Sequence, residues 1–274
     1  MAAGLRRPET LAVRGAWDGL DPYSTQFAVS TIKPLLQSHN LTSSCEVYFV
    51  GHSAGSPVAL QSYIRAASTR DFLPDGVKLG GCVLAAPAVL ELDEDPDAYD
   101  FSEDEGAQIP YPLRLAAFRT LLALPDAFSI KLARRLVDRD LREALLSQTH
   151  PRMAGEDMRE RVKELADKYF APTREFPEAW DLALLAVYRA DVGVKDVLRG
   201  RSLLAKAKRM VGSKNGLGVI SGDSDGVVPL RASTRVAEIL EVPLKTISEC
   251  GHLPMDEKPE DFASELTKFI NDKI

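Results

Sequence analysis

Short apolar runs alternate with helical periodicity along this 274-residue chain. Apolar, β-type runs occur at Glu46–Val50, at Gly81–Ala86, from Leu217 to a break at Gly222, and from Leu244 towards Gly251-His252. Helical spacing of apolar residues marks Ser24–Ser38, Ser56–Ala67 and a final helix from Pro259. Proline suits the first helical position, and Glu260 and Asp261 fall in the first turn. Strands alternating with helices predict an α/β fold: a mostly parallel sheet with flanking helices. From Tyr111 to about Met210 the pattern is helical without a convincing strand, with amphipathic stretches at Leu113–Leu124, Ile130–Leu136 and Met158–Tyr169. This predicts a core built from residues 1–90 and 211–274, with residues 91–210 inserted as a helical cap or lid. Within the insertion, nine of the fifteen residues of Glu91–Glu105 are acidic and none is basic, the composition of a solvated loop. An apolar helix face such as that of Leu113–Leu124 is expected to pack on the core and not on lipid.

The first of these strands runs into Gly51-His-Ser-Ala-Gly55, and a helix follows at once. A serine hydroxyl becomes a useful nucleophile when it projects from the backbone to where a base and hydrogen-bond donors can reach it. A sharp strand-to-helix turn achieves this at the cost of a strained serine and crowded backbone. Gly51 and Gly55 flank Ser53 at two residues' distance and are expected to leave room that a Cβ would fill. The following helix points its N-terminus at the site, where backbone N–H groups favour negative charge. Beyond the strand that breaks at Gly222 lies Asp225, and beyond the Leu244 strand lies His252. Both are thus expected past the carboxyl ends of parallel strands, where open α/β sheets build their sites. The order Ser53, Asp225, His252 suits a nucleophile, an orienting acid and a base. Each has a bland alternative: a Gly/Ser turn without chemistry for Ser53, a structural loop histidine for His252, and Asp223 in place of Asp225. His52 is expected to point away from the base, Asp223 to bond its own backbone in a turn, and His39 and His150 receive no role.

Three stretches carry a family resemblance. Gly51-His-Ser-Ala-Gly-Ser-Pro-Val-Ala-Leu60, Gly222-Asp-Ser-Asp-Gly-Val-Val-Pro229 and Gly251-His-Leu-Pro-Met-Asp-Glu-Lys-Pro-Glu-Asp-Phe262 together resemble the α/β-hydrolase fold family, serine hydrolase and esterase branch. The resemblance covers nearly the whole chain. It implies Ser53 as nucleophile, His252 as base, Asp225 as orienting acid by its spacing from Gly222 and Val228-Pro229, and the Ala54 N–H as an oxyanion donor. An ester or related acyl bond is the expected substrate, with carbon–carbon bond hydrolysis and acyl transfer to another alcohol as alternatives. The apolar cap suggests a small substrate with a hydrophobic acyl group or alcohol. No cofactor is expected, because Ser53, His252, Asp225 and Ala54 supply the chemistry. A serine at the nucleophile position disfavours the epoxide-hydrolase and haloalkane-dehalogenase branches. The family carries strands and an oxyanion loop, often with His-Gly, ahead of its elbow, and no His-Gly precedes Ser53 here. The expectation is a chain that lacks those strands and that loop, leaving the elbow strand as a sheet edge, with Thr10–Gly15 as the alternative location for a short strand and donor. An inert homologue and a small-molecule binding module on the same fold are the competing functional readings.

Composition narrows the field further. A hydrophobic content of 45% supports a large core, and a net charge of −6 argues against a nucleic-acid backbone as partner. No apolar run is long enough to span a bilayer. Three scattered cysteines, Cys45, Cys82 and Cys250, read as free thiols in a reducing compartment. The Asp223-x-Asp225 pair lacks the further ligands of a calcium loop, so no metal is implied.

Overall fold

The structure is a computed structural model, and residues 25–39, 41–89, 203–211 and 216–272 are described. Along the chain these form α1 (Thr25–Ser38), β1 (Glu46–His52), a single 3-10 turn (Ser53–Gly55), α2 (Ser56–Ser68) and β2 (Lys78–Ala85). There follow α3 (Leu203–Val211), β3 (Leu217–Gly222), α4 (Leu230–Leu240), β4 (Leu244–Ile247), the short α5 (Pro254–Glu257) and α6 (Pro259–Asp272). The four strands make one sheet in the order β1-β2-β3-β4, every pair parallel. Among the described residues β1 therefore has a neighbour on one side only.

Pleat alternation sorts the strand side chains to two faces. Phe49, Cys82, Leu84, Leu217 and Val219 point to a face covered by α1, α2, α3 and α4, where they pack with Val29, Leu60, Ile64, Leu204, Ala207 and Val236. Val83, Ile220 and Ile247 point to the other face, where Phe262, Leu266 and Phe269 of α6 lie at helical spacing against them. Helices on both faces explain why β3 is buried at every position and reads as an unbroken apolar run. Helix α3, from the 91–210 stretch, contributes its Leu204 and Ala207 to the first of these clusters. The other residues of that expected cap, 91–202, lie outside the described residues, as do residues 1–24 and with them Thr10–Gly15.

Two strand limits differ from the sequence expectation. β2 begins at Lys78, not Gly81, because the register slips between Val47 and Tyr48, where Gly80 is the extra residue. That bulge interrupts the apolar alternation from which the strand was read. β4 ends at Ile247, and a turn at Ser248–Glu249 carries the chain to Gly251-His252. Glu249 adopts a left-handed φ of 53° there.

Candidate active site

Ser53 sits where β1 hands over to the turn before α2, with a left-handed φ of 50°. Its carbonyl is held twice, by the N–H of Ser56 and by the N–H of Ala88 at 3.2 Å from the loop after β2. Ser56 also donates its buried hydroxyl to Gly51 O (3.0 Å), so one side chain spans the base of the turn. At Gly51 a Cβ would lie 2.6 Å from Gly55 O and 2.7 Å from Ser56 Cα, contacts that no side chain tolerates. Gly55 corrects the sequence expectation. Its φ and ψ are −80° and −14°, ordinary helical values, and a Cβ there would meet nothing within 4 Å. The crowding comes from the strand side of the turn alone, because Gly51 still runs under the helix start while Gly55 has already joined it.

Asp225 and His252 approach from the ends of β3 and β4. Gly222 closes β3 so tightly against the next loop that a Cβ would overlap the carbonyl oxygens of Cys250 and Gly251. The N–H groups of Asp223 and Ser224 donate to Ile247 O (3.1 Å) and Cys250 O (2.9 Å), tying the two loops together. Asp225 is 6% and His252 5% exposed, so both are shielded from competing water. Asp225 Oδ1 accepts from the N–H groups of Val227 (2.8 Å) and Val228 (2.9 Å), which aims Oδ2 at His252. The Nδ1–H of His252 donates to Oδ2 at 2.9 Å. That leaves Nε2 as an acceptor, 3.0 Å from Ser53 Oγ. Ser53, His252 and Asp225 thus stand in one hydrogen-bonded relay, and Ala54 follows Ser53 in the turn at the head of α2.

Asp223 ties its own loop to the one that carries His252. Its Oδ1 accepts from Ser224 Oγ (2.8 Å) and from the Cys250 N–H (3.4 Å), because the packing at Gly222 brings the second loop within reach. His52 departs from expectation. Instead of pointing away, its Nε2–H donates to His252 O at 2.7 Å, and the two rings lie 4.8 Å apart, tilted by 49°. Strand alternation predicts opposite directions for neighbouring side chains, but the left-handed backbone at Ser53 breaks that alternation. Burial, and then the neighbouring His252, hold His52 below the ordinary histidine pKa.

Glu257 was part of a quoted motif without a role. Its carboxylate accepts from the N–H groups on either side of His252, Gly251 to Oε2 (2.7 Å) and Leu253 to Oε1 (2.8 Å). Burial first, and then the carboxylates of Glu257, Asp225 and Asp223, push the Cys250 thiol up to about 12. Cys45, Cys82 and Cys250 are all free. Among the described residues no group of three or more His, Cys, Asp or Glu could hold a metal ion, and no helix is long and apolar enough to cross a membrane.

A profile of the alpha/beta hydrolase family matches residues 4–265. No curated protein matches the chain. Among solved structures, the chain is similar to an alpha/beta hydrolase enzyme from a Medee basin deep-sea metagenome library (18% identity, TM-score 0.55, covering 92% of this chain and 73% of that one). It is also similar to the 2-hydroxy-6-oxo-6-phenylhexa-2,4-dienoate hydrolase of Rhodococcus sp. strain RHA1 (17% identity, TM-score 0.53, covering 92% and 74%). A bromoperoxidase from Bacillus anthracis is similar at 17% identity and a TM-score of 0.52, covering 92% and 76%. At such identities these structures speak for the fold, whereas the profile spans almost every residue from the first helix to the last. The chain belongs to the alpha/beta hydrolase family.

Proposed function

We propose that the protein is a serine hydrolase that cleaves a small, hydrophobic ester or related acyl bond. The observation that carries the reading is the continuous relay Ser53 Oγ, His252 Nε2, His252 Nδ1, Asp225 Oδ2, with steps of 3.0 and 2.9 Å. Such a relay gives a neutral hydroxyl a proton acceptor in line with the bond it must make. Ser53 Oγ attacks the substrate carbonyl carbon while its proton passes to His252 Nε2. The carbonyl π bond becomes an oxyanion, which the Ala54 N–H and the N-terminal end of α2 stabilise. Collapse expels the alcohol, which takes the proton from His252, and leaves Ser53 acylated. A water molecule then gives its proton to His252, attacks the acyl carbon and releases the acid, and Ser53 regains its proton. Asp225 keeps the imidazole in the Nδ1–H tautomer throughout and balances the imidazolium charge.

No step draws on a cofactor. The ester class rests on this chemistry, because the names of the structural neighbours span different reactions. Specificity belongs to residues 91–202, which we propose as a cap over the site; residues 203–210, expected in that cap, pack instead in the core through Leu204 and Ala207.

Labelling of the folded chain with a fluorophosphonate, followed by peptide mapping, tests the reading. Modification of Ser53 in the native protein and not in a heat-denatured control is the expected result. Ser53→Ala and His252→Ala should abolish turnover of a p-nitrophenyl ester while leaving the unfolding transition in place. Asp225→Asn is expected to lower kcat by about 10⁴-fold, the scale for a wrong imidazole tautomer, and Asp223→Asn by far less. Undiminished turnover by Ser53→Ala would sink the mechanism. A folded chain that takes no label would shift the reading to binding without catalysis.

A further inference from the structure

Ser53 and His252 are borne by the two outer strands of the described sheet, with β2 and β3 between them. At about 4.8 Å per strand the axes of β1 and β4 lie roughly 14 Å apart. The 3.0 Å approach of His252 Nε2 to Ser53 Oγ is therefore made by two loops reaching towards each other, and the sheet alone does not hold it. A second bond joins the same two loops. The His52 Nε2–H donates to the backbone carbonyl of His252 at 2.7 Å, and the His52 ring stands against the His252 ring with centroids 4.8 Å apart. Because a carbonyl can only accept, this contact requires the Nε2–H form of His52.

We propose that His52 is a positioning residue for His252: it grips the base by its own backbone carbonyl and abuts its ring, so that residue 52 sets the reach from residue 252 to residue 53. The proposal rests on the Ser53–His252–Asp225 reading above. It explains why the residue before the nucleophile turns towards the base. One hydrogen bond fixes the loop that carries the base relative to the turn that carries the nucleophile. The ring contact then limits rotation of His252 about its side-chain bonds. Neutral His52 suits this place, since His252 must itself become a cation during turnover. Burial and the charge of the His252 ring favour the neutral form, while the hydrogen bond to the His252 carbonyl and the carboxylates of Asp225 and Asp256 pull the other way.

The test compares wild type, His52→Phe and His52→Gln in the full chain. Phenylalanine keeps the ring and removes the donor, whereas glutamine keeps an N–H donor at similar reach and removes the ring. His52→Phe should lower kcat for a p-nitrophenyl ester by about 10- to 100-fold, the scale for a misplacement of about 1 Å, with KM little changed. The Gln variant should recover most of that loss. In ¹⁵N-histidine-labelled protein, the Nδ1–H proton that His252 shares with Asp225 should move or broaden in His52→Phe and return in His52→Gln. Equal kcat and an unmoved proton signal in the Phe variant would overturn the proposal. So would equal losses in the two variants. Should the Phe variant fail to fold, His52→Leu serves as the donorless partner and is read in the same way. Turnover that survives Ser53→Ala would sink the hydrolase reading instead, and the proton signal, which needs no turnover, would still judge His52.

Discussion

A serine at φ 50° is held in a conformation that costs a side-chain-bearing residue about 1–2 kcal/mol. It persists because its surroundings over-determine it: Ser56 and Ala88 both hold its carbonyl, and Gly51 lets the strand pass beneath the start of α2. The two glycines of the elbow should consequently behave differently. Gly51→Ala would drive its Cβ into backbone that cannot retreat, and should cost about 1–3 kcal/mol in urea unfolding together with loss of fluorophosphonate labelling at Ser53. Gly55→Ala enters open space at helical angles and should be neutral, or stabilising by about 0.4–1 kcal/mol through the unfolded chain. Equal losses at both positions would mean that the turn needs both glycines after all. The motif Gly-x-Ser-x-Gly makes its glycines look equivalent. Only the backbone path tells them apart, and one sequence carries no trace of that path.

Elements meet at this site through their ends. β1 and β3 stop just before a side chain of the relay, at places the sequence marks with Gly51 and Gly222, whereas β4 stops earlier, at Ile247, and a turn carries the chain on to Gly251 and His252. What could not be read was how the ends are tied. Glu257 sits in the one-turn helix α5 and reaches back to the N–H groups of Gly251 and Leu253, so the loop carrying His252 is pinned on both sides of the histidine. A carboxylate offers two acceptors for those two donors, whereas an amide offers one acceptor and turns a donor towards the other N–H. Glu257→Gln should therefore destabilise the protein by about 1–3 kcal/mol in urea unfolding. It should also lower kcat for an ester more than it raises KM, since the loop and not the substrate contacts is disturbed. An unchanged melt would show that water replaces the carboxylate at little cost. The acid four residues after the histidine-loop leucine was visible in the sequence. Its partners are backbone groups, however, and backbone groups leave no pattern in side-chain identities.

At the scale of the whole molecule, the layered architecture was legible because burial on both faces of a parallel sheet writes itself as apolar runs, and packing of α6 writes itself as the spacing of Phe262, Leu266 and Phe269. The direction of the His52 side chain was not, because it depends on one left-handed residue. That direction has a consequence for the stability of the fold. His52 is half-buried against His252, and its pKa lies below the ordinary histidine value, by burial first and by the neighbouring ring second. In the unfolded chain the same residue should titrate near pH 6.5. Between the folded and unfolded values the unfolded chain binds a proton that the folded chain does not, so stability falls as the pH falls. The contribution is fully present above about pH 6.5 and is lost as the pH drops through the folded value. The hydrogen bond to the His252 carbonyl limits the shift, and so do the carboxylates of Asp225 and Asp256, because each favours the protonated ring. Urea unfolding of wild type and His52→Gln at about pH 7.5 and about pH 5.5 isolates the effect. The wild type should lose more stability between the two conditions than His52→Gln, which has no proton to take up at that site. Equal losses would mean that the His52 ring reaches water in the folded chain, so that burial does not hold it neutral.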